Sequence, residues 1–190
     1  MFASETINLI NELENSNIKC ESLSIDINEA KKNLDTCAYI YDWLLSAGSE
    51  RNSILISIGG GVTTDIVGFV ASSWLRGLNV IHFPTSLAAM VDASIGGKTG
   101  VNFKHGKNLI GAFKQPLLIA MDTKSLVTLK ERELNSGWAE AIKHAFLFDQ
   151  SLLKKFQMQC KDIISKRDPV FTGIIKRSVQ IKAEIVSKDE

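Results

Sequence analysis

The side chains able to do chemistry fall into a few short stretches. The first is ILISIGGGVTTD, residues 54–65, an apolar run that ends in three glycines, two threonines and Asp65. Glycine lets a backbone approach an anion closely, and a helix starting there offers unpaired N–H groups and a favourable dipole. Phosphate or pyrophosphate binding is the chemistry this suggests. The loop is neither G-x-G-x-x-G nor a Walker loop, and a plain strand-to-helix turn explains an isolated GGG at least as readily. Arg76-Gly77 follows the next helix, and Pro84-Thr85-Ser86 follows the next strand, where open α/β sheets bind ligands. Helix capping by Thr85 or Ser86 is an equally good account of those hydroxyls. The densest stretch is VDASIGGKTGVNFKHGKNLIGAF, which carries Asp92, Lys98, Lys107 and Asn108 among several glycines. It reads as a long glycine-rich loop, which costs chain entropy and tends to be functional. Lysines beside a phosphate-binding turn suit an anionic, hydroxylated ligand, and Asp92 could orient hydroxyls or move protons. Glu140 and Lys143 stand at i and i+3 on a helix, which an exposed ion pair explains by default and a metal-ligating or substrate-contacting carboxylate explains alternatively. His82, His105 and His144 include no pair at i, i+4, so local spacing assembles no zinc site.

These residues need elements to hold them. Residues 53–58 read as a short buried strand, and Val67, Val70, Ala71 and Trp74 form the apolar stripe of the helix after the glycines, with Thr63, Thr64 or Asp65 as its cap. Upstream, residues 6–13 predict a short helix stopped by Asn15-Ser16-Asn17. Residues 18–27 alternate, with Leu23, Ile25 and Ile27 on one face, and predict a strand. Residues 29–47 predict a helix with Leu34, Ala38, Tyr41 and Leu45 on its apolar side and Gly48 as its stop. Strands are expected at 79–83 and 117–121. Strand and helix alternate, which implies a parallel sheet covered by helices. From Ser125 onward the pattern turns helical: a helix over 131–148 burying Leu134, Trp138, Ala141, Ile142 and Ala145, and another starting at Pro169.

The formal net charge of +1 gives no electrostatic footprint for nucleic acid or an anionic membrane. Cys20, Cys37 and Cys160 form no C-x-x-C pair and predict free thiols in a reducing compartment. No segment is apolar enough to span a bilayer, and the first residues carry acids where a signal peptide needs bases. A cytoplasmic protein is expected. Both ends break off inside a pattern, so a fragment or truncated product is expected as well.

In combination the motifs are specific. GGGVTTDIVGFVAS, WLRG, FPTSLAAMVDASIGGKTGVN, HGKNLIGAFKQP and ERELNSGWAEAIKHA, in this order, resemble the 3-dehydroquinate synthase family of the shikimate pathway, over residues 26–190. The resemblance implies a Rossmann-like NAD-binding α/β domain over 1–124, followed by the start of an all-helical metal-binding domain over 125–190. It implies a lyase: an NAD⁺- and zinc- or cobalt-dependent cyclase acting on 3-deoxy-D-arabino-heptulosonate 7-phosphate, as a homodimer. Carried over by position, Gly60, Gly61, Val62, Thr63, Thr64 and Asp65 would hold the NAD pyrophosphate and ribose, and Thr85, Ser86 and the turn Ser125, Leu126, Val127, Thr128 would also contact NAD. Glu29 and Lys32 match an acidic and basic pair on the adenosine side, although Asn28 stands where the family has glycine. Lys107 and Asn108 would lie between nucleotide and substrate. Asp92, Lys98 and Lys143 would contact the substrate, and Arg76 would reach toward the partner subunit's substrate phosphate. Glu140 matches a metal-ligating carboxylate. The family's two ligating histidines have no counterpart in this sequence, so the chain by itself is expected to be inactive. Other sugar-phosphate cyclases, a glycerol-dehydrogenase-like oxidoreductase and a non-catalytic nucleotide-binding fragment are the competing readings.

Overall fold

The computed structural model describes residues 3–166 and 168–188. Helix α1 (Ala3–Asn15) ends where Asn17 takes a φ of 60°. Residues 18–28 then form neither helix nor ladder. The alternation there is real, since Leu23, Ile25 and Ile27 pack against the sheet core. It records one-sided burial, not a hydrogen-bonded ladder, and the expected strand does not form.

The expected 29–47 helix is two pieces. A single 3₁₀ turn, Glu29–Lys31, is capped by Asn28, whose Oδ1 accepts from the Ala30 and Lys31 N–H groups. Asn33 then caps α2 (Leu34–Ser46) by accepting from Thr36 N–H. The buried face of α2 is Cys37, Ile40 and Leu44, one residue round from the expected stripe; Leu45 is 71% exposed. Cys37 is closed off enough that burial pushes its thiol up to about 11. Tyr41 lies at the edge of that face, stacked on Trp74 at 5.7 Å and bonded to Ser73.

Strands β1 (Ile54–Gly59), β2 (Asn79–Pro84) and the short β5 (Leu118–Ile119) form a parallel sheet in the order β1-β2-β5. Helix α3 (Gly61–Ser73) crosses between β1 and β2 and is wedged between the sheet, α2 and an antiparallel hairpin, so Thr64, Ile66, Gly68, Val70 and Ala71 are all buried. Within the sheet, His82 Nδ1 and Ser57 Oγ lie 2.6 Å apart, and burial lowers the His82 imidazole to about 4.

The hairpin occupies the stretch expected to be a loop: β3 (Lys98–Phe103) and β4 (Gly106–Phe113). Its glycines are there for close approach. Gly100 faces Gly111, and a Cβ on Gly100 would lie 2.7 Å from the Ile110 carbonyl oxygen. Preceding it, Ala89–Ala93 forms one π-helical turn.

The remainder is helical: α4 (Glu131–Phe148), α5 (Gln150–Met158), α6 (Cys160–Ile164) and α7 (Val170–Val186). Leu134, Trp138, Ala141 and Ala145 bury the expected face of α4. Gly137 and His144 join it, whereas Ile142 is 42% exposed. Trp138 packs edge-on against Phe156 and Phe171. This core also takes in Leu87 and, from the π turn itself, Met90 and Val91, and it is distinct from the core around α3.

Candidate functional site

An open cleft of about 630 Å³ lies at the C-terminal ends of β1 and β2. Its floor is the start of α3. The cap is Gly60, which supplies no side-chain hydrogen bond, and the Thr64 hydroxyl turns back to the Gly61 carbonyl instead of capping. The Thr63 and Thr64 N–H groups donate to the Gly60 carbonyl, so those of Gly61 and Val62 are left without an intrahelical acceptor, and no side-chain hydrogen bond caps them. Space is kept for a ligand by the absence of Cβ atoms. One added at Gly60 would lie 3.3 Å from Ser86 Oγ, and one at Gly61 3.2 Å from Ala93 Cβ.

Val62, Thr63, Thr85 and Ser86 line the same cleft, with Ser125 and Thr128 opposite. The turn at 123–128 is 3₁₀, with Asp122 as its cap. It presents Ser125 and Thr128 to the cleft, sends Leu126 into the helical core and leaves Val127 65% exposed. Glu29 stands on the rim. Lys130, Glu133 and Ser136, at the start of α4, close the wall; the sequence reading did not single these out.

Behind the floor is a polar network. Lys32, only 4% exposed, donates from Nζ to Asp65 Oδ2 and to Asn108 Oδ1, both at 2.5 Å. Three residues singled out in the sequence therefore bind one another. Burial pushes the Asp65 carboxyl up, with the Lys32 ammonium pulling against it. Lys107 lies 3.4 Å from Glu29 Oε1. Lys98 is exposed on β3, and Arg76 sits on a turn in which Leu75, Arg76 and Gly77 all have positive φ.

A second cluster lies beyond Gly61, on the π turn, α4 and α7. Ligand atoms of Asp92, Glu140 and His144 lie within 4.8 Å of one another. Two carboxylates and an imidazole form a donor set suited to a divalent transition metal. Glu140 Oε2 is closed to solvent and makes no well-aligned hydrogen bond; the Lys143 ammonium rests against it. That contact raises the Lys143 pKa. Asp92 is held by Lys182 Nζ at 2.7 Å. His144 Nδ1 lies 2.8 Å from Ser178 Oγ, and burial, then the Lys143 charge, lowers its pKa. In the tautomer whose Nδ1–H donates to the serine, Nε2 is free to ligate. The donors fit a metal, but each carboxylate already has an ammonium.

The signal for His144 was present in the sequence, four residues after Glu140. Histidine–histidine spacing does not reveal it, whereas a carboxylate and a histidine at i and i+4 do. Lys182 and Ser178 carried no local signal.

The sequence matches the family described as 3-dehydroquinate synthase N-terminal over residues 22–136 and 3-dehydroquinate synthase C-terminal over residues 137–190. A 3-dehydroquinate synthase of Prochlorococcus marinus (strain NATL2A) is 46% identical over 184 residues, which is 96% of this chain and 50% of that protein. The chain thus spans about half the length of the curated relatives it matches. Among solved structures, a 2-epi-5-epi-valiolone synthase from Streptomyces hygroscopicus with NAD⁺ and Zn²⁺ bound superposes with a TM-score of 0.88 at 31% identity, covering 98% of this chain and 54% of that one. A 2-deoxy-scyllo-inosose synthase complexed with carbaglucose-6-phosphate, NAD⁺ and Co²⁺ follows at a TM-score of 0.68 and 27% identity, over 74% of this chain and 38% of that one. With the glycine-capped cleft and the Glu140 helix both inside the matched residues, the chain belongs to the 3-dehydroquinate synthase family.

Proposed function

We propose that this chain is the nucleotide-binding part of a 3-dehydroquinate synthase, the enzyme that turns 3-deoxy-D-arabino-heptulosonate 7-phosphate into 3-dehydroquinate and phosphate. The observation that carries the reading is the glycine-capped start of α3 at the floor of a hydroxyl-lined cleft. NAD⁺ would lie there, its pyrophosphate on the first N–H groups of α3 and its ribose hydroxyls toward Glu29 and the hydroxyls of Thr85, Ser86, Ser125 and Thr128. When bound, the nicotinamide supplies a transient oxidation of one substrate hydroxyl, which acidifies the neighbouring C–H and eases loss of phosphate. Lys98 and Lys143 would meet the substrate's negative charges, and Asp92 its hydroxyls.

Glu140 would be a ligand of the zinc or cobalt, with Asp92 and His144 as neighbouring donors among the described residues. Bound there, the ion would polarise a substrate oxygen as a Lewis acid. Because ammonium groups already occupy both carboxylates, the chain by itself is proposed to bind nucleotide without turnover. A homodimer and a cytoplasmic location belong to the same proposal. Among the described residues no helix is long and apolar enough to cross a membrane.

Calorimetric titration of NAD⁺ into the purified chain tests the reading directly. Saturable binding at one site is expected, and the absence of any binding at millimolar nucleotide would overturn it. Phosphate release from the heptulosonate phosphate should stay at background; saturable release by the chain would refute its inactivity.

A further inference from the structure

The ladder of the β3–β4 hairpin is interrupted next to the cleft. Val101 pairs with Ile110, and the next pair is Phe103 with Gly106, so residues 107–109 stand opposite the single Asn102. Bulges of this kind re-aim side chains and recur beside functional sites. Asn108 takes a φ of 53° within it, and its backbone N–H, displaced from the ladder, donates to Asn102 Oδ1 at 2.9 Å. The other end of the same amide, Nδ2, donates to Glu29 Oε1 at 3.0 Å. The backbone N–H of Asn102 donates to the Lys32 carbonyl at 2.8 Å. One residue therefore joins the 3₁₀ turn on the cleft rim to the bulge that carries Lys107 and Asn108.

We infer that Asn102 is a positioning residue for nucleotide recognition, holding the Glu29 carboxylate at the rim where it accepts hydrogen bonds from a ribose of the bound dinucleotide. The inference rests on the NAD-binding reading of the cleft. An amide is the side chain the position needs. Its carbonyl satisfies Asn108 N–H and its NH₂ group satisfies Glu29, whereas a carboxylate would repel Glu29 and an aliphatic side chain would satisfy neither. Both Asn102 and Lys107 contact Glu29 through Oε1, which leaves Oε2 for a ligand hydroxyl. The Asn102 hydrogen bond is also the foremost reason that the Glu29 carboxyl lies below its usual range.

Asn102→Asp separates the two arms of the amide. It keeps the size and the acceptor for Asn108 and sets a second carboxylate against Glu29. By calorimetry this variant should bind NAD⁺ about tenfold more weakly than the parent chain, the scale of a lost hydrogen bond to a charged group. Its thermal midpoint should stay close to the parent's. Asn102→Ala, which removes both arms, should weaken binding at least as much. The decisive readout is a cycle with Glu29→Gln, because a residue acting through Glu29 adds less than twofold once that carboxylate is gone. An unchanged NAD⁺ affinity in Asn102→Asp, or an undiminished loss in the Glu29→Gln background, overturns the inference. If Glu29→Gln weakens NAD⁺ binding while Asn102→Asp does not, the Asn102 role fails and the nucleotide reading stands. If the parent chain binds no NAD⁺, or if Glu29→Gln binds as the parent does, the ribose assignment fails and the Asn102 role with it.

Discussion

The cleft at the start of α3 and the cluster around Glu140 are neighbours, separated by little more than the contact of Gly61 with Ala93, yet they are built on opposite plans. In the cleft the floor offers helix N–H groups and hydroxyls around space that missing Cβ atoms keep open, and the charged groups, Glu29, Lys130 and Glu133, stand on the rim and wall. Around Glu140 the polar groups are charges that already neutralise one another, Glu140 with Lys143 and Asp92 with Lys182. A floor of the first kind needs no partner to be stable, because backbone dipoles and hydroxyls tolerate solvent. A site of the second kind gathers partly buried carboxylates, and its own lysines do the compensating. Nucleotide binding is therefore expected from the first region as it stands, and metal binding in the second must compete with ammonium groups.

The largest effect should come from the packing beneath the charged cluster. Trp138→Ala removes the ring that Phe156 and Phe171 meet edge-on, and should destabilise the chain by about 3–5 kcal/mol in urea unfolding. A cost below about 1 kcal/mol would mean that α4 is not anchored there. The sheet beneath the cleft should answer to pH instead. His82 is held near 4, against 6.5 when unfolded, so folding disfavours its charged form. Its contribution is complete above pH 6.5 and fades as pH falls toward 4, a loss on the order of 3 kcal/mol. Urea midpoints for the parent and His82→Gln chains, between pH 7 and 5, check this; a flat parent curve contradicts it.

Next in size, Gly61→Val places branched carbons where even a Cβ comes within 3.2 Å of Ala93. NAD⁺ affinity should fall by on the order of a hundredfold, and wild-type affinity in this variant would move the pyrophosphate elsewhere. The smallest change sharpens the contrast itself. Lys143→Met keeps the stem and removes the cation resting on Glu140, so Co²⁺ should bind several-fold more tightly, on the scale of about 1 kcal/mol for a partly exposed pair. Visible cobalt absorption during titration reads this out, and unchanged affinity would remove Glu140 from the ligand set of this chain.

What could be read from the sequence depended on whether the determining contacts were local. The α4 helix and its Leu134, Trp138, Ala141 and Ala145 face follow from periodicity alone. So does the strand–glycine–helix unit, because its parts are contiguous. The hairpin was hidden because glycines that permit backbone contact across a ladder look the same in sequence as glycines that loosen a loop. The alternation over residues 18–27 predicts a strand that does not form, because a chain lying on a core alternates like a strand without having one beside it. Asn28 looked like a lost glycine, but it sits in extended backbone at φ −143°, where its side chain caps the following turn. The pairing of Asp92 with Lys182 depends on α7 packing against the π turn, which no spacing predicts.

The separation of the interior into two cores also sets an order in time. Every buried member of the core around α3 lies between Cys37 and Val101, and its last partly buried neighbour is Ile110. The helical core begins at Leu87 but is not complete until Ile181. As the chain leaves the ribosome, the residues that build the nucleotide floor are all available while α4 is still to be translated. Since domains form as units from the N-terminal side during synthesis, the α3 core can close first and offer the π turn as a ready surface. The later helices then have a template to assemble on.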